Sequence, residues 1–122
     1  MDNEVKKTDA IVVGSGPCGL FQVFELGLLG VHSVLIDSLP QIGGQCTELY
    51  PDKPIYDIPG IPVCSGQELI DQLSLQIKPF EPSIKVGEEV IQIEKKNGDY
   101  QIITNKGSSF LTKTLFIAGG VG

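Results

Sequence analysis

Six residues, Gly14-Ser15-Gly16-Pro17-Cys18-Gly19, limit what this chain can fold into more than any other stretch of it. They follow an apolar run, Ala10 to Val13, and open a stretch compatible with a helix. A glycine turn placed between a buried strand and a helix is a dinucleotide-binding fingerprint; the same letters elsewhere would mean little. Gly14 permits the tight turn, Gly16 lets backbone N–H groups approach a pyrophosphate, and Gly19 lets the helix lie close on the strand. A second apolar run, Val34-Leu35-Ile36, ends in Asp37, where a carboxylate can accept hydrogen bonds from a ribose diol. A second glycine turn, Gly43-Gly44-Gln45-Cys46, comes soon after. Two such turns with an acid between them predict an adenine dinucleotide site, and the second turn points to FAD.

Composition narrows the field further. A chain of 122 residues holds one domain at most, and 41% hydrophobic residues suffice for a core. The net charge of −6 speaks against nucleic acid or an anionic membrane as partner. All nine basic residues are Lys. The 2′-phosphate of NADP is usually clamped by Arg, so this segment is a poor NADP site. Met1 to Asp9 is polar, without the apolar core of a signal peptide, and no apolar run approaches the length of a membrane span. Cys18, Cys46 and Cys64 are odd in number and lack metal-ligand spacing. These features predict a reducing, cytoplasmic setting and no metal.

The order of elements reads as strand, helix, strand, long loop, helix and a β-rich end. Thr8 to Val13 is a strand of the kind buried on both faces of a parallel sheet. Pro17 to Leu29 carries Leu20, Val23, Phe24 and Leu28 near helical spacing, and Gly30 supplies a stop. Val31 to Ile36 completes a right-handed βαβ unit. Ser38 to Pro62 holds five prolines and three glycines, which predicts a structured loop without regular elements. Ser65 caps a helix over Gln67 to Ile77, with Glu68 in the capping-box position. Lys85 to Lys96 and Asp99 to Asn105 alternate around Asn97-Gly98, a hairpin signal. Thr114 to Ala118 is a last apolar strand running into Gly119-Gly120.

Several chemistries drop out. A redox pair with four residues between its thiols would need a second cysteine where Pro51 stands, so Cys46 has no such partner. No CxxC occurs, and His32, the only histidine, has no acid–base partner in sequence and reads as a surface or edge residue. No catalytic residue is therefore expected. What remains is chemistry carried by a cofactor that the protein positions and tunes.

The loop Gly43-Gly44-Gln45-Cys46-Thr47-Glu48-Leu49-Tyr50-Pro51-Asp52-Lys53-Pro54-Ile55-Tyr56-Asp57-Ile58-Pro59-Gly60 resembles the flavin loop of thioredoxin-reductase-like ferredoxin/flavodoxin–NADP reductases. The likeness runs from the first glycine turn to Ala118-Gly119-Gly120. It implies an α/β, Rossmann-like FAD-binding fold with a central parallel sheet and a β-hairpin or meander insertion. Enzymes of this kind are oxidoreductases that bind FAD, oxidise NADPH, pass electrons singly to ferredoxin or flavodoxin, and work as homodimers.

Carried over by position, the resemblance puts the pyrophosphate on Gly14, Ser15, Gly16, Pro17, Cys18 and Gly19, and the adenosine ribose on Asp37. It sets Gly44 and Gln45 beside the flavin, with Tyr50 stacked on the isoalloxazine. Val90 meets the adenine, and Ala118 and Gly119 approach the flavin nucleotide a second time. Tyr50 or Tyr56 filling core, and Val90 as plain core, stay open as alternatives. Cys18 and Cys64 read as small packing residues, and Cys46 as no catalytic thiol.

The resemblance further implies that residues 1–122 are the N-terminal segment of a FAD-binding domain. The NADPH-binding domain and a closing FAD segment are then absent, so the chain alone is inactive. An apolar strand edge left open beside the first or last strand is expected to make it poorly soluble. A thioredoxin-reductase-type FAD segment and a non-catalytic FAD-binding fragment are the alternatives.

Overall fold

The computed structural model describes residues 4–120; Met1 to Asn3 and Val121-Gly122 of the 1–122 segment lie outside the described residues. In β1 (Val5–Val13) strand alternation sends Ala10 and Val12 to one face and Ile11 to the other, and all three are fully buried. A strand buried on both faces needs cover on both. Helices cover one side. From α1 (Pro17–Leu28) come Leu20, Val23 and Leu26; from α3 (Gly66–Ile77) come Leu69, Ile70, Leu73 and Ile77. They close over Ala10, Val12 and Leu35, the last from β2 (Ser33–Asp37). The expected βαβ unit is present, with β2 parallel to β1 and the chain turning after α1 at Gly30, whose φ is +75°.

The capping box also forms as expected. The Glu68 N–H donates to Ser65 Oγ at 3.0 Å, and the Ser65 N–H donates to Glu68 Oε1 at 2.8 Å. Replacing Ser65 by Ala should lower stability by about 1 kcal/mol. Urea unfolding checks this, with an unchanged midpoint counting against the cap.

The other side is covered by the β-rich end. The main sheet has the order β5-β2-β1-β8-β7-β6, adding β5 (Ser83–Val86), β6 (Val90–Lys96), β7 (Asp99–Thr104) and β8 (Ser109–Ile117). The four strands from β5 to β8 are parallel, and β8-β7-β6 is an antiparallel meander. The β6–β7 hairpin turns on Asn97 and Gly98, with φ of +51° and +87°, the two positive values a type I′ turn requires. Lys85 to Lys96 is not one hairpin arm, however. It breaks at Gly87 (φ +67°), so that Lys85 lies in β5 on one edge and β6 forms the other.

That break dictates the shape. Six strands laid flat would put their edges about 24 Å apart, whereas the chain from Val86 to Val90 reaches about 14 Å at most. The sheet must therefore fold back on itself. Ile102 and Phe110 of the meander accordingly cluster with Ile11, Val34 and Ile36 on the face the helices leave open.

Two more boundaries differ from expectation. β1 begins at Val5 rather than Thr8, because β8 pairs along its whole length, from Val5 with Ser109 to Val13 with Ile117. Within Ser38 to Pro62, a short α2 (Gln45–Glu48) and β3 (Pro54–Ile55) do form, β3 pairing with β4 (Cys64–Ser65). As for edges, β1 is flanked on both sides. β8 has β7 beside it only as far as Thr112, and beyond that, among the described residues, it is paired with β1 alone.

Candidate functional site

Three turns that are far apart in sequence meet at the C-terminal end of β1. Gly14, with φ +107°, leaves no room for a side chain: a Cβ there would lie 2.1 Å from the Ala118 carbonyl oxygen. The Ala118 N–H donates to Val13 O at 2.7 Å, which fixes that approach. Gly19 is closed as tightly, a Cβ falling 1.8 Å from Gly14 O. The second glycine turn is tied on by the Gly43 N–H, which donates to Ser15 O at 2.8 Å. Gly44 then faces Gly16, so that a Cβ on Gly44 would come within 3.0 Å of Gly16 Cα.

Gly16 itself differs from its neighbours. Its φ is −71°, and a Cβ on it would meet nothing nearer than Gly44 Cα at 4.0 Å. The polypeptide makes no use of the missing side chain. Gly16 also precedes an α1 start that no side chain caps and that carries no acid in its first turn. Since Leu20 is the first to donate back, to Gly16 O at 3.0 Å, the N–H groups of Cys18 and Gly19 stand at an uncapped helix start, and Pro17 has none. Such a start favours a phosphate.

Asp37 is drawn into the same cluster. Its Oδ2 accepts from Ser15 N–H at 2.7 Å and from Ser15 Oγ at 2.5 Å, and its Oδ1 accepts from Leu39 N–H at 3.0 Å. Ser15 is fully buried, and its N–H, hydroxyl and carbonyl all have protein partners, so its side chain holds the turn rather than reaching outward. A carboxylate offers about four acceptor positions. Three being taken, Asp37 Oδ1 keeps one, which suits a single hydroxyl rather than both of a diol.

The long loop leads away from this cluster. Gln45 opens α2, and its Oε1 accepts from Tyr50 OH at 2.8 Å. The Tyr50 ring is 38% exposed, with Lys53 Nζ 5.1 Å from its centroid, and Tyr56 is 72% exposed, so neither ring fills the core. Cys18 is exposed, contrary to its reading as a packing residue, whereas Cys64 and Cys46 do lie against the helix-side core. Burial, and then the neighbouring Cys64, push the Cys46 thiol above its ordinary value. The shift disfavours the thiolate, which is the nucleophilic form. Val90 is half-buried against the meander-side core.

Several residues that hold this arrangement had no role of their own in the sequence, where Gly43 and Thr47 figure only as members of the second turn and its loop. Gly43, with φ +122°, would put a Cβ 2.2 Å from Thr47 Oγ1. Buried Thr47 in turn donates to Ile42 O at 2.9 Å. Gly66 would put a Cβ 2.5 Å from both the Cys46 and the Tyr50 carbonyl oxygens, so the loop lies directly on the start of α3. The only signal in sequence was a glycine beside a capping serine. An open depression of about 440 Å³ lies toward the other end of β1, lined by Lys7, Asp9, His32, Asp99 and Lys113. His32 is exposed there, as expected of a surface residue. Among the described residues, no helix is long and apolar enough to cross a membrane.

No family model matches the chain. Over 118 residues it is 58% identical to ferredoxin–NADP reductase 2 of Cupriavidus necator, a match covering 96% of this chain and 32% of that protein. Over 117 residues it is 59% identical to the ferredoxin–NADP reductase of Methylibium petroleiphilum, covering 95% and 32%. Among solved structures, the thioredoxin reductase of Streptococcus pyogenes superposes with a TM-score of 0.83 at 24% identity, covering 96% of this chain and 36% of that one. The resemblance read from the long loop is thus borne out, as is the Rossmann-type fold with a mostly parallel sheet. The chain spans about a third of the length of the curated relatives it matches.

Proposed function

From the likeness to ferredoxin–NADP reductases over nearly its whole length, we propose that this chain forms the FAD cradle of a flavoprotein oxidoreductase. The complete enzyme passes electrons from NADPH through FAD to ferredoxin or flavodoxin, in the cytoplasm and as a homodimer. On this reading an NADPH domain and a closing FAD segment lie outside this chain, which spans about a third of the length of the relatives it matches. One observation carries the reading. Three turns converge on the uncapped start of α1, around a glycine, Gly16, whose missing side chain the polypeptide does not need.

The residues fit the cofactor. The N–H groups of Cys18 and Gly19, with Gly16 beside them, hold the pyrophosphate against the helix dipole. Asp37, oriented by Ser15, offers its remaining acceptor position to one ribose hydroxyl. Gly44 and Gln45 border the flavin, and the exposed face of Tyr50 is available to stack on it. Val90 flanks the adenine, and Ala118-Gly119 closes the flavin nucleotide's other side. A flavin held there would supply the redox chemistry, hydride acceptance and single-electron transfer. The chain supplies orientation.

Full-length protein purified without added cofactor is expected to carry FAD and to reduce ferredoxin or flavodoxin with NADPH. Absence of flavin would sink the reading, and a preference for thioredoxin would overturn the acceptor. Asp37→Ala should weaken FAD binding by roughly 1.5–3 kcal/mol, the worth of a hydrogen bond to a charged group. It should also lower the melting temperature of the apoprotein, because buried Ser15 loses its acceptor. Wild-type FAD affinity in that variant would remove Asp37 from the ribose.

A further inference from the structure

Glu88 is the one buried carboxylate among the described residues, and nothing in the site as described uses it. It sits in the three-residue link that joins β5 to β6, where the folded-back sheet brings its two edges together. Through its backbone it is tied to the end of β2: the Glu88 N–H donates to Asp37 O at 3.0 Å, and the preceding Gly87 N–H donates to Leu39 O at 2.8 Å. Through its side chain it is tied to the end of β7, with Thr104 Oγ1 donating to Glu88 Oε1 at 2.8 Å. Thr104 is 1% exposed, and its hydroxyl accepts from the Lys106 and Ser108 N–H groups, both at 3.3 Å. It also stands opposite Val90 in the β6–β7 ladder. Two bonds between Glu89 and Asn105, of 2.9 and 3.0 Å, close the same junction.

Burying a carboxylate is unfavourable unless specific partners compensate it, and an apolar residue in its place would avoid that penalty. The link could have been closed by backbone bonds alone. What the Glu88 carboxylate adds, beside the backbone bond to Asp37 O, is a side-chain tie to Thr104, which stands opposite Val90. From this geometry we infer that Glu88, through Thr104, is a positioning residue for the adenosine half of the cofactor site, setting the gap between the ribose acceptor and the adenine wall. The inference rests on the reading of the site as a FAD cradle. It gives a role to a residue that touches no cofactor.

The test uses full-length protein, stripped of flavin and titrated with FAD and, separately, with ADP, which carries the adenosine half alone. In Glu88→Ala the affinities for both ligands should fall by the same factor, about tenfold, while the absorption spectrum of bound FAD superimposes on that of wild type. Glu88→Gln keeps an acceptor for Thr104 and should bind within threefold of wild type, roughly half a tenfold step in free energy. Should Glu88→Ala fail to fold, Thr104→Val removes the hydroxyl at nearly constant shape and is expected to show the same proportionate loss. Unchanged ADP affinity in either disruptive variant overturns the inference, as does a Gln variant no better than Ala. A wild-type protein that binds neither ligand overturns the cradle reading and this inference together. Wild-type binding with an unaffected Ala variant overturns only the latter.

Discussion

Gly19→Ala is expected to leave no folded, flavin-binding protein. A methyl group at this position would lie 1.8 Å from Gly14 O and 2.9 Å from Gly14 C, with Val12 Cγ1 at 3.5 Å. The first two atoms are backbone, so no rotamer change relieves the contact. Relief requires α1 to lift off the turn or the turn to open, and the turn has no slack. Gly14 N–H is held by Ile36 O at 2.8 Å, and Ala118 closes on Gly14 from the far side. Lifting α1 would also pull buried Leu20 and Val23 out of the helix-side core. Overpacking in a well-packed core typically costs 1–3 kcal/mol. A clash against immobile backbone belongs at or above the top of that range, so a loss of about 3 kcal/mol or more is expected, a large fraction of the roughly 5–15 kcal/mol that holds a domain folded. Soluble yield and thermal unfolding followed by circular dichroism check the expectation. A Gly19→Ala protein melting within a few degrees of wild type would mean that the helix does not sit where this packing puts it.

How much of this was legible in the sequence differs from element to element. The βαβ unit, the capping box at Ser65 and the hairpin at Asn97-Gly98 depend on contacts within one or two elements, and local pattern carried them. The break at Gly87 reads, in sequence, as part of one strand. Gly87-Glu88-Glu89 does interrupt the alternation of Lys85 to Lys96, but what sends its two parts to opposite edges is the packing of Ile102 and Phe110 against Ile11, Val34 and Ile36, far away in the chain. Val5 to Lys7 was missed for a similar reason: the stretch is exposed and two of its residues are charged, and it is a strand only because β8 lies beside it. At the site, glycine spacing foretold the turns and Asp37. It could not tell that buried Ser15 would take two of Asp37's acceptor positions, nor that Glu88 would bond both to Asp37 O and to Thr104, opposite Val90. Hydrogen bonds between residues so far apart leave no periodicity to read.

The glycines of the first turn look alike in sequence and separate cleanly in structure, and the separation makes Gly16→Ala the most discriminating functional test. At Gly14 the backbone is left-handed and crowded, and at Gly19 it is crowded, so the fold alone accounts for both. At Gly16 neither holds. With φ −71° and ψ −174° any residue is allowed there, and the nearest atom to a Cβ is 4.0 Å away. The empty protein should therefore tolerate Ala, losing no more than about 1 kcal/mol for an unfavourable residue at the N-cap. In the proposed cradle the same methyl group would stand where a pyrophosphate has to come within hydrogen-bond reach of the α1 N–H groups. Displacing that ligand by even one methyl radius breaks its bonds to Cys18 and Gly19 together, and each charge-assisted bond is worth roughly 1.5–3 kcal/mol. FAD affinity should fall at least a hundredfold, about 2.7 kcal/mol, while the apoprotein melts close to wild type. Calorimetric titration of the flavin-stripped variant, beside its thermal melt, reads both quantities. Loss of fold and loss of FAD together would make Gly16 a structural glycine like its neighbours, and retention of both would remove the pyrophosphate from this turn.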